Sequence, residues 1–102
     1  MATLDFDIII VGGGVAGAAC AALLAQQKRR VALVDARQPS FDPTPGEFDL
    51  RVVAVSPGSQ RVLAAAGAWQ HLDVSRLAAY RHMQVHAESL AIEFSASDHG
   101  LL

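Results

Sequence analysis

Hydrophobic residues dominate the first 35 positions and divide them into three predicted elements. Residues 6–11 are almost continuously apolar, which is typical of a parallel strand covered on both faces. Val15 to about Lys28 is apolar nearly all round and predicts a helix buried between a sheet and further structure. Residues 31–34 predict a second parallel strand, so residues 5–35 form a predicted βαβ unit.

Glycines join the first predicted strand directly to the helix. Gly12 permits a tight turn, Gly14 lets the backbone approach a pyrophosphate, and Gly17 lets helix and strand pack closely. The helix begins at about Val15 with unpaired N–H groups and the positive end of its dipole, which favour a diphosphate. Asp35 follows the second strand, where its carboxylate can accept both ribose hydroxyls of an adenosine and would repel the 2′-phosphate of NADP. The sequence therefore predicts a dinucleotide site, and the alternative is a glycine-rich turn of an ordinary α/β domain with Asp35 as a solvated strand end.

The middle of the chain changes from apolar to mixed composition. Residues 36–50 contain three of the four prolines and predict an irregular surface loop, and residues 51–79 predict a strand and helices. The strand is expected in the apolar segment 51–55. Ser56 and Pro57 then suit the N-cap and first position of a helix that runs to about residue 66, and Gly67 suits a left-handed residue that ends it.

The last third alternates apolar and polar residues, which predicts a β-hairpin over residues 80–96 with its turn at residues 88–89. Met83, Val85 and Ala87 would then share one apolar face. His82 and His86 would lie about 13 Å apart along a strand, too far to share a metal ion, so we expect no metal site. We also find no pairing of a nucleophile with a base, and we predict no catalytic residue in this chain.

Composition narrows the functional classes. The 102 residues carry a net charge of −2, and the basic residues are scattered except for the run at 28–30, so we expect no nucleic-acid partner. That run, Lys28-Arg29-Arg30, suits the C-terminal end of the first helix, where cations interact favourably with the dipole. The single cysteine, Cys20, excludes an internal disulfide and suits a reducing compartment.

Asp5 and Asp7 precede the uncharged stretch from Ile8 to Gln27, which four glycines interrupt, so neither a signal peptide nor a membrane span is expected. We expect a cytoplasmic protein, either soluble or peripheral to a membrane.

Arg51 is the one charge in the apolar segment after the loop. It is equally explained as a surface arginine whose stem covers apolar atoms and as a cation that reaches the phosphates of a bound dinucleotide.

Five segments of the chain carry a family resemblance. They are Asp-Ile-Ile-Ile-Val-Gly-Gly-Gly-Val-Ala-Gly at 7–17, Val-Ala-Leu-Val-Asp at 31–35, Phe-Asp-Leu-Arg-Val-Val-Ala-Val-Ser-Pro at 48–57, Gly-Ala-Trp at 67–69 and Tyr-Arg-His-Met-Gln-Val at 80–85. Together they resemble the ubiquinone-biosynthesis hydroxylases, which are class A flavin monooxygenases similar in fold to para-hydroxybenzoate hydroxylase. The resemblance covers nearly the whole chain and favours the N-terminal portion of such a protein. It implies an α/β fold, with a Rossmann-like FAD-binding βαβ unit followed by a helix and a β-hairpin.

The resemblance also implies a cofactor and a reaction. FAD would be the dinucleotide and NAD(P)H its reductant. With O₂, the reduced flavin would hydroxylate the aromatic ring of a polyprenylated quinone precursor. The resemblance also allows association with a membrane surface or with a biosynthetic complex. Arg51 would lie against the FAD. The candidate cofactor-binding residues are Gly12, Gly14, Val15, Ala16, Gly17, Asp35, Ala36, Arg37 and Arg51.

Two departures from the family pattern limit this resemblance. The family usually has Glu where this chain has Asp35, so the carboxylate reaches less far. Family members are several times longer, and we expect the segments that hold the rest of the flavin and the substrate to lie outside these 102 residues. The isolated chain should therefore lack hydroxylase activity. The alternatives are another FAD or NAD oxidoreductase, or a non-catalytic nucleotide-binding or complex-partner module.

Overall fold

The computed structural model describes residues 3–40 and 48–99, and the chain divides into two compact units, Met1–His71 and Leu72–Leu102. The first unit contains strand β1 (Ile8–Val11), helix α1 (Val15–Gln26), strand β2 (Val31–Val34), helix α2 (Pro57–Ala65) and a 3₁₀ turn, Trp69–His71. The second contains a 3₁₀ turn (Val74–Arg76), strands β3 (His82–Ala87) and β4 (Leu90–Ser95) and a final 3₁₀ turn, Ala96–His99. The mixed α/β fold predicted from the sequence is confirmed.

The first unit is built on the predicted βαβ arrangement. Strands β1 and β2 are parallel, in a register that pairs Ile8 with Val31 and Val11 with Val34. Helix α1 connects them, as a parallel pair requires. The carboxyl ends of both strands therefore meet at one edge of the sheet, where the glycine turn and Asp35 lie.

The prediction that β1 is covered on both faces was wrong. Ile8 and Ile10 are half-buried, whereas Ile9 and Val11 are 65% and 84% exposed. The reason is that α1 covers one face of the two-stranded sheet, and among the described residues no second layer covers the other. Helix α1 likewise has no buried residue, so the prediction of a buried helix was also wrong, and Ala66 is the one buried apolar residue that the structure describes.

Both helices of the first unit end in the same way. At the end of α1, Lys28 donates to Ala25 and Arg29 donates to Leu24, with Lys28 at a φ of 61°. This is the Schellman pattern, in which a left-handed residue closes the helix. At the end of α2, Gly67 and Ala68 make the corresponding bonds and Gly67 has a φ of 79°, as predicted.

The start of α2 also follows the prediction, whereas the segment before it does not. The Ser56 hydroxyl accepts the N–H of Ser59 at 3.2 Å, which makes Ser56 the N-cap. The strand predicted at residues 51–55 is not formed, since this segment pairs with no strand in the described chain. Residues 36–40 and 48–50 have no strand or helix, as predicted for the loop, and residues 41–47 lie outside the described residues.

The second unit contains the predicted hairpin. Strands β3 and β4 are antiparallel, with Met83 opposite Phe94 and Val85 opposite Ile92, and residues 88–89 form the turn. These apolar side chains share one face and are exposed. His82 and His86 lie on β3, as the strand prediction required.

Two features are absent from residues 3–40 and 48–99. No helix there is long and apolar enough to cross a membrane. No group of three or more His, Cys, Asp or Glu side chains there could hold a metal ion.

Candidate functional site

The glycine turn, Gly12–Gly14, joins β1 to α1 at the carboxyl edge of the sheet. Gly12 has a φ of 106°, a left-handed conformation that favours glycine, and its N–H donates to the carbonyl of Val34 at 2.7 Å. Gly14 is the N-cap of α1 but has no side chain to cap it, and the Ala18 N–H donates to the Gly14 carbonyl at 2.9 Å. The turn is therefore tied to the end of β2 and followed directly by a helix.

The N-terminus of α1 offers free donors. Within the described part of the chain, the backbone N–H groups of Val15 and Ala16 have no protein acceptor. Apart from its chain neighbours, a Cβ placed on Gly12 or on Gly14 would meet no described protein atom within 4 Å, so the space in front of the turn is open. Open space, free N–H groups and the positive end of a helix dipole suit a diphosphate. The residues present therefore fit the pyrophosphate of a dinucleotide.

Gly17 is required by packing on the other side of the turn. A Cβ at Gly17 would overlap the carbonyl oxygen of Gly12 and lie 3.5 Å from Cγ2 of Ile10. A side chain at this position would therefore separate the first turn of α1 from the end of β1. Gly17 thus sets the close approach of helix and strand on which the geometry of the turn depends.

Asp35 holds two backbone groups with its two carboxylate oxygens. Oδ2 accepts the N–H of Gly13 at 2.6 Å, and Oδ1 accepts the N–H of Arg37 at 2.8 Å. These hydrogen bonds, first that from Arg37 and then that from Gly13, lower the pKa of Asp35 below its ordinary value of 3.8. The carboxylate is therefore ionised at neutral pH, in the form that can accept ribose hydroxyls.

Gly13 is the residue that sequence reasoning missed. A Cβ on Gly13 would lie 3.2 Å from Oδ2 and 3.4 Å from Cβ of Asp35. The dinucleotide fingerprint leaves this position open, because it specifies only the first, third and sixth residues of the turn. The sequence did contain one signal: position 13 is a glycine, although the fingerprint allows any residue there.

The structure brings together most of the predicted site residues. Gly12, Gly14, Val15, Ala16 and Gly17 form the turn and the helix start, and Asp35, Ala36 and Arg37 follow β2 beside them.

Arg51 is not brought to this turn by any contact between described residues. Its backbone N–H donates to Oδ1 of Asp49 at 3.1 Å, and the residue is exposed. The proposed approach of its guanidinium to a phosphate stays a prediction.

A mainly apolar cleft of about 610 Å³ lies within the first unit, beside the start of α1. It is lined by Val15, Ala16, Ala19, Val53, Ala54, Val55, Ser56, Gly58, Ser59, Val62 and Leu63. Among the described residues, no charged side chain lines it, so they offer no counterion to a phosphate there. The polar groups that suit a nucleotide are therefore those of the glycine turn and Asp35.

Comparison with known proteins assigns this part of the chain to a family of flavoproteins. The family described as FAD dependent oxidoreductase matches residues 7–46, which include the glycine turn and Asp35. Two curated relatives are the mitochondrial ubiquinone biosynthesis monooxygenases COQ6 of Xenopus tropicalis and Danio rerio. The first is 44% identical over 59 residues, which are 56% of this chain and 12% of the relative. The second is 38% identical over 85 residues, which are 78% of this chain and 18% of the relative.

The chain thus spans less than a fifth of the length of these relatives. No solved structure matches it significantly. The family match supports FAD as the cofactor.

Proposed function

We propose, because this chain corresponds to the N-terminal portion of ubiquinone-biosynthesis hydroxylase-like FAD proteins, that it holds the ADP half of FAD in a flavin monooxygenase. The complete protein would use NAD(P)H and O₂ to hydroxylate the aromatic ring of a ubiquinone precursor. The observation that carries the proposal is the open glycine turn at the start of α1, with the Asp35 carboxylate beside it.

Each part of the turn has a defined task in this proposal. The free N–H groups of Val15 and Ala16 donate to the pyrophosphate, which Gly14 allows to come close to the backbone. The Asp35 carboxylate accepts the ribose hydroxyls. Arg51 adds a positive charge toward the phosphates. The bound flavin supplies the redox chemistry, and these residues bind and orient its nucleotide end.

The cellular location is part of the proposal as well. We propose a cytoplasmic protein that meets its quinone precursor at a membrane surface, because that substrate would be lipid-soluble. Cell fractionation tests this: the protein should appear in the soluble fraction or be released from membranes by salt. Extraction that needs detergent would contradict it.

Visible spectroscopy of the protein expressed from its natural reading frame tests the function. We expect a flavin spectrum that NAD(P)H bleaches without air and that oxygen restores, and denaturation should release FAD. Hydroxylation of a ubiquinone precursor should accompany NAD(P)H oxidation, whereas the 102-residue chain alone should not hydroxylate it. A colourless protein that takes up no added FAD would contradict the proposal.

A pair of variants connects the spectrum to the turn. Gly14→Val places a branched side chain in the open space in front of the turn, so we expect the protein to lose most of its FAD. Gly58→Ala on α2 adds a methyl group whose nearest neighbours lie at 3.8 and 3.9 Å, and it should keep the flavin. If Gly14→Val retained a full complement of FAD, the flavin would bind elsewhere.

A further inference from the structure

Asp35 does more in this structure than present a carboxylate to a ligand. We propose that Asp35 is a positioning residue, which holds the glycine turn in its binding geometry before any nucleotide arrives. This inference rests on the proposed function for its ligand, but the hydrogen bonds on which it depends lie within the protein.

The first support is the pair of backbone bonds at Asp35. Its carboxylate joins the N–H of Gly13 at 2.6 Å to the N–H of Arg37 at 2.8 Å. One of these groups lies in the turn after β1 and the other lies after β2, so a single side chain ties the two strand ends. Bonds of this kind, from an N–H to an ionised carboxylate, are among the stronger ones in proteins.

The second support is the space above Gly13. A Cβ there would approach Oδ2 of Asp35 to 3.2 Å and would lengthen the 2.6 Å bond. Gly13 has no left-handed φ that would call for glycine. The close carboxylate therefore explains why glycine suits this position, which the dinucleotide fingerprint leaves open.

Asp35 can hold the glycine turn and still bind the ribose. A carboxylate oxygen can accept two hydrogen bonds, and each oxygen of Asp35 accepts one from the backbone. One acceptor site on each oxygen remains for a ribose hydroxyl. Asp35 would thus fix the turn in advance and reduce the ordering cost that nucleotide binding otherwise carries.

Two ligands separate this role from the ribose contact. ADP offers both ribose hydroxyls, whereas 2′,3′-dideoxy-ADP offers neither. If Asp35 acted only through ribose, Asp35→Asn would leave the affinity for dideoxy-ADP unchanged or, through the lost negative charge, raise it. We expect this variant to bind dideoxy-ADP roughly tenfold more weakly than the wild type, since the Asn NH₂ group cannot accept the second backbone N–H.

Charge and a matched control strengthen this measurement. Asp35→Asn removes a negative charge near the diphosphate, which by itself would strengthen binding, so weaker binding cannot come from charge.

In the second unit, Asp73 also accepts a backbone N–H two residues on, that of Ser75 at 2.9 Å. Asp73→Asn should therefore bind both ligands like the wild type. An affinity of Asp35→Asn for dideoxy-ADP that equals or exceeds that of the wild type would overturn the proposal.

Amide hydrogen exchange of Gly13 and Arg37 in the nucleotide-free protein tests the role without any ligand. We expect the amide of Gly13 or that of Arg37 to exchange roughly tenfold faster in Asp35→Asn than in the wild type, because the single amide oxygen of Asn can accept only one of these two N–H groups. Equal exchange of both amides in the two proteins would overturn the proposal. A wild type that binds no ADP would instead contradict the proposed function, and the exchange comparison would still decide the role of Asp35.

Discussion

Gly17 and Gly58 are both helical glycines, but their surroundings differ at the level of single atoms. A Cβ on Gly17 would overlap the Gly12 carbonyl oxygen, whereas one on Gly58 meets only ordinary contacts at 3.8 Å and beyond. We therefore expect Gly17→Ala to lower the free energy of unfolding by about 1–3 kcal/mol through overpacking. Gly58→Ala should raise it by up to about 1 kcal/mol through helix propensity. Urea denaturation measures both, and a stabilising Gly17→Ala would contradict the close packing at the turn.

Three exposed carboxylates, Asp7, Asp35 and Asp73, have pKa values below the ordinary 3.8. For Asp7 the largest cause is the side-chain hydrogen bond from Arg30, followed by the bond from its backbone N–H. A carboxyl group whose pKa is lower in the folded state stabilises the fold above its unfolded pKa, and this contribution is lost as the pH falls through the folded pKa.

Stability should therefore fall as the pH drops below about 4, the unfolded pKa of an aspartate. Urea midpoints measured at pH 7, 4 and 3 test this in the wild type and in the triple variant Asp7→Asn, Asp35→Asn, Asp73→Asn. The triple variant should be less stable at pH 7 and lose less on acidification. Parallel pH profiles would show that the folded state does not favour the ionised forms of these groups.

At the level of elements, the two helix ends share one hydrogen-bond pattern but carry different residues in the left-handed position. Lys28 occupies it after α1 and Gly67 occupies it after α2. We expect Lys28→Gly to stabilise the protein by about 0.5–1 kcal/mol, because glycine adopts this conformation without steric cost. Gly67→Ala should destabilise it by about 1 kcal/mol through the backbone alone, since the nearest atom to its Cβ lies at 4.0 Å. Chemical denaturation of both variants tests this, and effects of equal sign would contradict the shared motif.

Features that depend on local spacing were predictable from the sequence. The left-handed Gly12 and Gly67, the Ser56 cap and the position of Asp35 after β2 all follow from residue types at fixed distances along the chain. The expected strand at 51–55 is absent because a strand needs a partner, and the apolar pattern does not reveal whether one is present.

Contacts between segments that lie far apart in the sequence were harder to predict. Glycine suits position 13 because Asp35, 22 residues away in the sequence, forms a short hydrogen bond to its backbone N–H. No sequence pattern predicts the length of that bond. The left-handed Lys28 lies in a run of basic residues that the helix dipole already explained. Such features depend on where two segments meet, so they became visible only in the structure.

For the molecule as a whole, the exposed apolar side chains of β1 should make the isolated chain prone to association. Ile9 and Val11 point away from α1 and are largely exposed, whereas Ile8 and Ile10 on the same strand are half-buried toward it. Exposed apolar surface of this kind promotes association. We therefore expect the 102-residue chain to bind a hydrophobic dye and to associate at high concentration.

The two faces of β1 provide a matched test of this expectation. Ile9→Thr with Val11→Thr should reduce dye binding and association in size-exclusion chromatography, and it should leave the urea midpoint nearly unchanged because little burial is lost. Ile8→Thr with Ile10→Thr should lower the midpoint, since these side chains pack toward α1 and threonine puts a hydroxyl in their place. Both pairs keep β-branched residues, so strand propensity is preserved. If the outward pair lowered the midpoint as much as the inward pair, the outer face of β1 would be covered in solution, and the exposure of Ile9 and Val11 would not describe the folded chain.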